Sequence, residues 1–429
     1  MSKKIRTRKL LSTCLGGFIL VGGLMPRAAS ANSFNEWLNQ KTMTGDWNGG
    51  RTKLADAGVT IQGGYIGEFA DVLSGGERQG NGYAQEFSVG MKLDLGKLFG
   101  LNGGSFDVGF SQRQGRSVAS DFIGNSLAPQ EIYGAGETLH ITQLTYSQLL
   151  LDNKVRVQLG FTPLGNNFGQ ITYGGYFQNT GFCTHLQNVP RSSGWADNPQ
   201  PHWGGQILIK PNSDFYFQTG LYDVNPTYGE RQNGLKVSMS GSTGVIVPVE
   251  FGYTPSFNGL SGHYKVGFYY DNSKHANAVY THETETGRYG WYVLADQMLI
   301  NFDGNPMRGI AAFAGLSYSD PETATDRGAV VGGLVVKGPF SQRPNDFIEL
   351  GYSRLILNHR LVRYEEETNP ALTDLSTGEG VMEIGYGLQA TPWLLVHPNV
   401  QYITDPGTFS YNKNIHNAWV FGLQTKAVF

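Results

Sequence analysis

The sequence predicts an all-β chain, a transmembrane antiparallel β-barrel of about sixteen strands with a short periplasmic helix at its N-terminal side. Three observations carry this expectation. Gly accounts for 59 of 429 residues, aromatics for 12% and charged residues for only 16%, against roughly 7% Gly and about 25% charged residues in average soluble chains. The mean hydropathy of −0.28 excludes a helical membrane protein, and beyond the N-terminus no apolar run has helical spanning length. Apolar and polar residues instead alternate with period two, as in a wall with one lipid face and one wet face.

Residues 1–31 read as a secretory signal. Lys3, Lys4, Arg6, Arg8 and Lys9 form a positive start, Leu10 to Leu24 an apolar middle, and Ala29-Ser30-Ala31 a small-residue cleavage site. Cys14 precedes most of the apolar run, which excludes a lipoprotein signal. Removal of the signal takes Lys plus Arg from 32 to 26 against 35 Asp plus Glu, a net charge of −9. Such a chain has no basic surface for nucleic acid. Only Cys183 remains, so no intramolecular disulfide holds the fold. Closed strand pairing supplies the alternative.

Residues 32–57 form an N-terminal periplasmic segment, in which Thr44 to Gly58 reads as a short capped helix packed on the barrel end. From residue 58 to 429 the period is two. Phe87, Val89, Met91 and Leu93 alternate with Glu86, Ser88, Gly90 and Lys92. Phe106, Val108 and Phe110 alternate with Asp107, Gly109 and Ser111; Tyr264, Val266, Phe268 and Tyr270 alternate with Lys265, Gly267 and Asp271. Sixteen such segments start near residues 58, 83, 103, 138, 154, 203, 213, 245, 261, 286, 308, 328, 345, 378, 394 and 417. Short connections at 152–153, 211–213, 258–261 and 391–392 interleave with long ones at 116–137, 165–202, 224–244 and 358–377. Tight turns on one side and long loops on the other suit an outer-membrane barrel with both termini at the short-turn end. The 165–202 stretch, rich in Asn, Gly, Tyr and Trp, is expected to fold inward and narrow the pore.

The last strand states the pattern most compactly. Trp419, Phe421, Leu423, Thr425, Ala427 and Phe429 share one face, while Gln424 and Lys426 take the other. Its aromatics lie about ten residues apart, the span of a tilted membrane strand.

Several segments together resemble the carbohydrate-selective porins of the OprB family. They are Thr44-Gly45-Asp46-Trp47 with Arg51 to Leu54 and Gly58-Val59-Thr60; Tyr289-Gly290 with Ala295 to Leu299; and Arg308-Gly309-Ile310 with Lys337 to Phe340 and Arg343 to Asp346. Thr391-Pro392-Trp393, His397 to Ile403 and Asp405-Pro406-Gly407 complete the set in family order. Asn48 interrupts the expected pair of glycines after Trp47, and residues 165–200 follow the family pattern poorly. The resemblance implies a sixteen-stranded barrel that passes small sugars passively across the outer membrane. It also implies that the assembly machinery reads the terminal strand and Phe429.

A pore favours sugars through hydrogen-bond partners and aromatic rings. Lumen-phase candidates are Glu68, Glu86, Lys92, Asp107, Arg113, Arg156, Glu250, Lys265, Glu349 and Glu383, joined by Gln401 and Lys426. Both signs of charge are present, with Arg113 and Arg156 the constriction candidates. The alternative is a general porin for small hydrophilic solutes, since the same residues would line a non-selective pore. An enzyme in the wall or a purely adhesive barrel are further classes. No nucleophile-elbow pattern appears, and the nine His residues lack metal-binding spacing, so no catalytic residue, metal or cofactor is expected.

Overall fold

The computed structural model describes the backbone of residues 31–429, with side chains from residue 34. The signal segment 1–31 thus lies outside the described residues, apart from its last position. The wall strands are β1 Val59–Gly76, β2 Gly80–Asp94, β3 Gly104–Gly115, β4 Leu139–Leu150, β5 Val155–Thr162, β6 His202–Ile209, β7 Phe215–Val224 and β8 Gly244–Tyr253. After the two-residue β9, Ser256–Phe257, come β10 Leu260–Ala276, β11 Thr284–Phe302, β12 Asn305–Ser319, β13 Asp326–Lys337 and β14 Phe347–Leu357. The series ends with β15 Gly378–Thr391, β16 Leu394–Thr404 and β17 His416–Val428. Sixteen long strands pair antiparallel with their sequence neighbours, and β17 returns to β1 from Gly64↔Val428 to Gly76↔His416, closing the barrel. Among the described residues no helix is long and apolar enough to cross a membrane.

Closure follows from the pattern. Phe87, Val89 and Met91 on β2 are exposed outward while Glu86 is buried. Across the ladder Glu86 meets Arg113, and Lys92 meets Asp107. One register step would reverse every such residue between lipid and lumen, so the alternation fixes the pairing. Aromatics gather near both rims. Phe215 stacks on Tyr253 at 4.7 Å at the short-connection end, and Tyr402 lies 4.5 Å from Trp419 nearer the other.

The N-terminal helix is α2, Gly50–Asp56, preceded by α1, Ala31–Leu38. Asp46 Oδ1 accepts from both Thr52 N and Thr52 Oγ1 and ties the preceding turn to the first turn of α2, whose N-cap is Gly49. Arg51 Nη1 donates to the Ile61 carbonyl and Met43 N to Val428 O, which fasten the segment to the barrel end.

Two departures from the sequence reading concern the loops. Connections 77–79 and 320–325 are short although they share the end of the long loops. The 358–377 stretch carries a ten-residue helix, α3 His359–Thr368, capped by Asn358 and burying Leu361 and Val362, so Glu365-Glu366-Glu367 are helical. The interior also departs from the wet lumen the alternation suggested. Val118, Ile123, Leu127, Leu164, Phe168, Phe177, Phe182 and Leu186 from two loops are fully buried against inward wall residues including Val335, Leu355, Val381 and Ile403. Part of the barrel is therefore dry and packed. Burial of each such large side chain contributes roughly 1.5–3 kcal/mol toward holding the loops inside.

Candidate functional site: the inserted loops and the charged cluster beside them

Residues 163–201 fold into the barrel, as the sequence reading expected. Residues 116–138 do so too, which it did not foresee. Wall carboxylates hold both loops largely by their backbone. Glu383 accepts from Gln178 N at 2.7 Å and Asn179 N at 2.9 Å. Glu250 accepts from Gly169 N, Tyr216 Oη and Gln218 Nε2, each at 2.8 Å, and from Tyr292 Oη at 2.7 Å. Glu68 accepts from Ile132 N at 3.2 Å and Gln424 Nε2 at 2.6 Å. Glu379 accepts from Ser126 N at 2.8 Å and Leu127 N at 2.6 Å. Asp271 accepts from Gly194 N at 2.7 Å and also meets Arg288. An ionised carboxylate receiving two N–H donors is a strong, short clamp.

Other contacts complete the seam. Lys265 Nζ donates to Gln170 O at 2.7 Å, and Thr172 Oγ1 to Asp296 at 2.6 Å. Gln401 accepts from Asn179 Nδ2 at 2.9 Å. Asn188 bonds Ser317 and Ser319, and Arg191 pairs with Asp326. These partners lie on β7, β8, β10 to β13, β15 and β16, so the longer loop lines that arc of the wall. The opposite arc, β2 to β5, makes far fewer contacts with it.

On that free arc Arg113 Nε meets Glu86 Oε2 at 2.5 Å, and both side chains are about nine-tenths covered. Glu131 from the shorter loop stands within electrostatic reach of Lys426, Arg113, Glu86 and Asp197. Burial pushes its carboxyl above the ordinary range against the pull of Lys426 and Arg113. Lys426 Nζ lies 3.9 Å from Glu131 and donates to Gly175 O at 3.1 Å. His185 Nε2 lies 2.8 Å from Asp197 Oδ2. Burial opposes ionisation of Asp197, but His185 and the Asn198 N–H outweigh it and leave the carboxyl below its usual range. Cys183 lies close by, and burial pushes its thiol well up, away from a reactive thiolate. Charges of both signs from two wall strands, both loops and β17 thus converge beside the inserted loops.

Each lumen-phase candidate faces the interior, but in different company. Arg113 and Glu86 form the converging pair. Glu68, Glu250, Glu383, Gln401 and Lys265 grip the loops. Arg156 Nη2 donates to Asn167 Oδ1 at 3.1 Å, which places it under the start of the longer loop. Glu349 pairs with His397 at 2.9 Å, both fully buried. Lys92 and Asp107 lie opposite each other toward the short-connection end, Lys92 exposed and Asp107 partly so. Glu131, Asp197 and Glu379 escaped the sequence reading, and His185 figured in it only as a residue of the 165–202 stretch. Glu131, Asp197 and His185 sit in loops without periodicity, whereas Glu379 kept the same phase as Glu383 and was legible.

Residues 78–429 match the family described as "Carbohydrate-selective porin, OprB family". The chain is similar to Porin B of Pseudomonas aeruginosa, 32% identical over 464 aligned positions that cover 100% of both chains. It is also similar to the putative porin QuiX of Acinetobacter baylyi, 27% identical over 96% of this chain and 98% of the relative. The high-pH structure of Pseudomonas putida OprB superposes with a TM-score of 0.86 at 31% identity, covering 91% of this chain and 99% of that one. With the family pattern matched across most of its length and a full-length relative above 30% identity, this chain belongs to the carbohydrate-selective porins of the OprB family.

Proposed function

We propose that the chain admits small sugars to the periplasm by passive diffusion, through a constriction formed by Arg113, Glu86, Glu131, Lys426, Asp197 and His185. The observation that carries this reading is the convergence of both charge signs on the arc left free by the loops. Sugars are uncharged and rich in hydroxyls, so interleaved donors and acceptors can exchange for their water shell. A small organic acid would meet carboxylates on several sides of the same passage. As a member of a porin family the chain is a channel rather than an enzyme, set in the outer membrane. Outer-membrane lipid then meets the apolar wall face, and the assembly machinery is proposed to read the terminal strand and Phe429.

The test is a conductance titration in a planar bilayer. Millimolar monosaccharide should lower ion conductance saturably, and organic acids of similar size much less. Arg113→Ala should weaken the sugar block by about tenfold or more, because a hydrogen bond from a charged donor contributes roughly 1.5–3 kcal/mol. Arg156→Ala should act less, since Asn167 already takes that guanidinium. Equal, unsaturable responses to sugar and acid would leave the general-porin reading standing.

Orientation follows from the two ends. Both termini and the 32–57 segment are assigned to the periplasm, and the long loops to the cell surface. In a Cys183→Ser background, Asn212→Cys should resist a membrane-impermeant thiol reagent on intact cells, whereas Asn369→Cys in the exposed stretch after α3 should label. Ready labelling at position 212 would invert the assignment.

A further inference from the structure

We propose that Glu349, Glu383 and His397 bind one first-row transition-metal ion of the zinc class beneath the tip of the inserted loop. Strands β14, β15 and β16 bring these residues together, each with no measurable exposure. One ligand atom from each lies within 4.8 Å of the others. Zinc takes N and O ligands at about 2.0–2.2 Å, so a tetrahedral set has its ligand atoms roughly 3.4 Å apart. Side-chain adjustments of about an ångström therefore close the set on the ion.

Two further features point to a cation. Among the described residues, neither Glu349 nor Glu383 has a Lys or Arg partner within ion-pair distance. Two carboxylates in a dry wall without a counter-ion carry a large desolvation cost. Glu349 Oε2 and His397 Nδ1 are moreover buried with no hydrogen-bond partner. Glu349 Oε2 is available for bidentate ligation. His397 stands opposite Gln424, whose Oε1 is also buried and unpartnered because its amide nitrogen is committed to Glu68. A proton on Nδ1 directed at Gln424 Oε1 leaves the Nε2 lone pair for the ion, the outer hydrogen bond that metal-bound imidazoles commonly make. Gly385 keeps the space open: a Cβ there would lie 2.2 Å from Glu349 Oε1 and 2.6 Å from His397 Nε2. The imidazole favours the zinc class over calcium, which prefers an all-oxygen shell. Glu383 also clamps Gln178 and Asn179, so the ion would brace the wall that holds the loop tip.

The experiment uses the full-length protein, unfolded in chelator and refolded into detergent with or without zinc. The parent should retain one zinc per chain through gel filtration, and its thermal midpoint should rise with zinc. Glu349→Gln and His397→Gln should lose the retained zinc, whereas Glu379→Gln, a buried carboxylate outside the cluster, should keep it. Heat-modifiable migration on gels checks folding. Should the cluster variants fail to fold, cobalt refolded into the parent should give ligand-field bands of a mixed imidazole–carboxylate site. A folded parent that retains no zinc and gives no cobalt bands overturns the proposal and leaves a shared proton holding the cluster. Equal zinc in parent and cluster variants, or displacement of zinc by equimolar calcium, also overturns it.

Discussion

Glu250→Ala is expected to destabilise the barrel by roughly 3–5 kcal/mol and to raise single-channel conductance. A buried donor left without an acceptor costs roughly 1–3 kcal/mol, and removal of Glu250 leaves several. Here three donors lose their acceptor, Gly169 N, Tyr216 Oη and Tyr292 Oη, while Gln218 Nε2 keeps its bond to Asn167 O. Gly169 opens the inward run of the longer loop, so its release loosens the loop as well as the wall. Glu250→Gln retains one carbonyl oxygen and should fall between parent and Ala variant. Urea unfolding midpoints measure the first effect and bilayer recordings the second. Parent-like values in both would remove Glu250 from the clamp.

Gly351→Val should expel the loop without disturbing the strand that carries it. A Cβ at position 351 would lie 2.5 Å from Phe182 Cε1 and 2.7 Å from Phe177 Cε1. These rings stack at 4.2 Å and are fully buried. Valine favours extended backbone, so β14 gains local propensity while the aromatic pair loses its notch. Displacement of both rings forfeits up to roughly 3–6 kcal/mol of burial, taking about 1.5–3 kcal/mol for each. The expected result is a heat-modifiable, membrane-inserted barrel with larger conductance and a loop newly open to protease. A variant with parental conductance and an uncut loop would show that the notch is dispensable.

The wall was legible in the sequence because lipid imposes one demand on alternate residues of every strand. The start expected near 345 falls at Phe347 and the one near 286 at Thr284, shifts smaller than a turn. The inward loops were legible only as composition. What pins them are pairs such as Gln178 with Glu383 and Leu127 with Glu379, separated by 205 and 252 residues. Phase told that Glu68, Glu250 and Glu383 face inward, but not whether they would meet solute, water or main chain. The shorter loop did carry a signal. Val118, Ile123, Leu127 and Ile132 are more apolar than a surface loop needs, and all are buried. The Glu349–His397 pair spans 48 residues and three strands, beyond any local spacing rule.

Glu383, Glu379 and Glu250 hold the loops through the amides of Gln178, Asn179, Ser126, Leu127 and Gly169. A main-chain N–H is supplied by every residue type except proline. These particular hydrogen bonds are therefore indifferent to the side chains of the residues that donate them, whereas the packed aromatic residues of the loop are not exchangeable in this way. Side chains that face the proposed passage can be exchanged while the docking points stay put, so its solute preference can be rewritten without redesigning its frame. For an engineer, Gly175, exposed between clamped positions and with open space where a Cβ would stand, is where a new solute preference can be introduced at least risk to assembly.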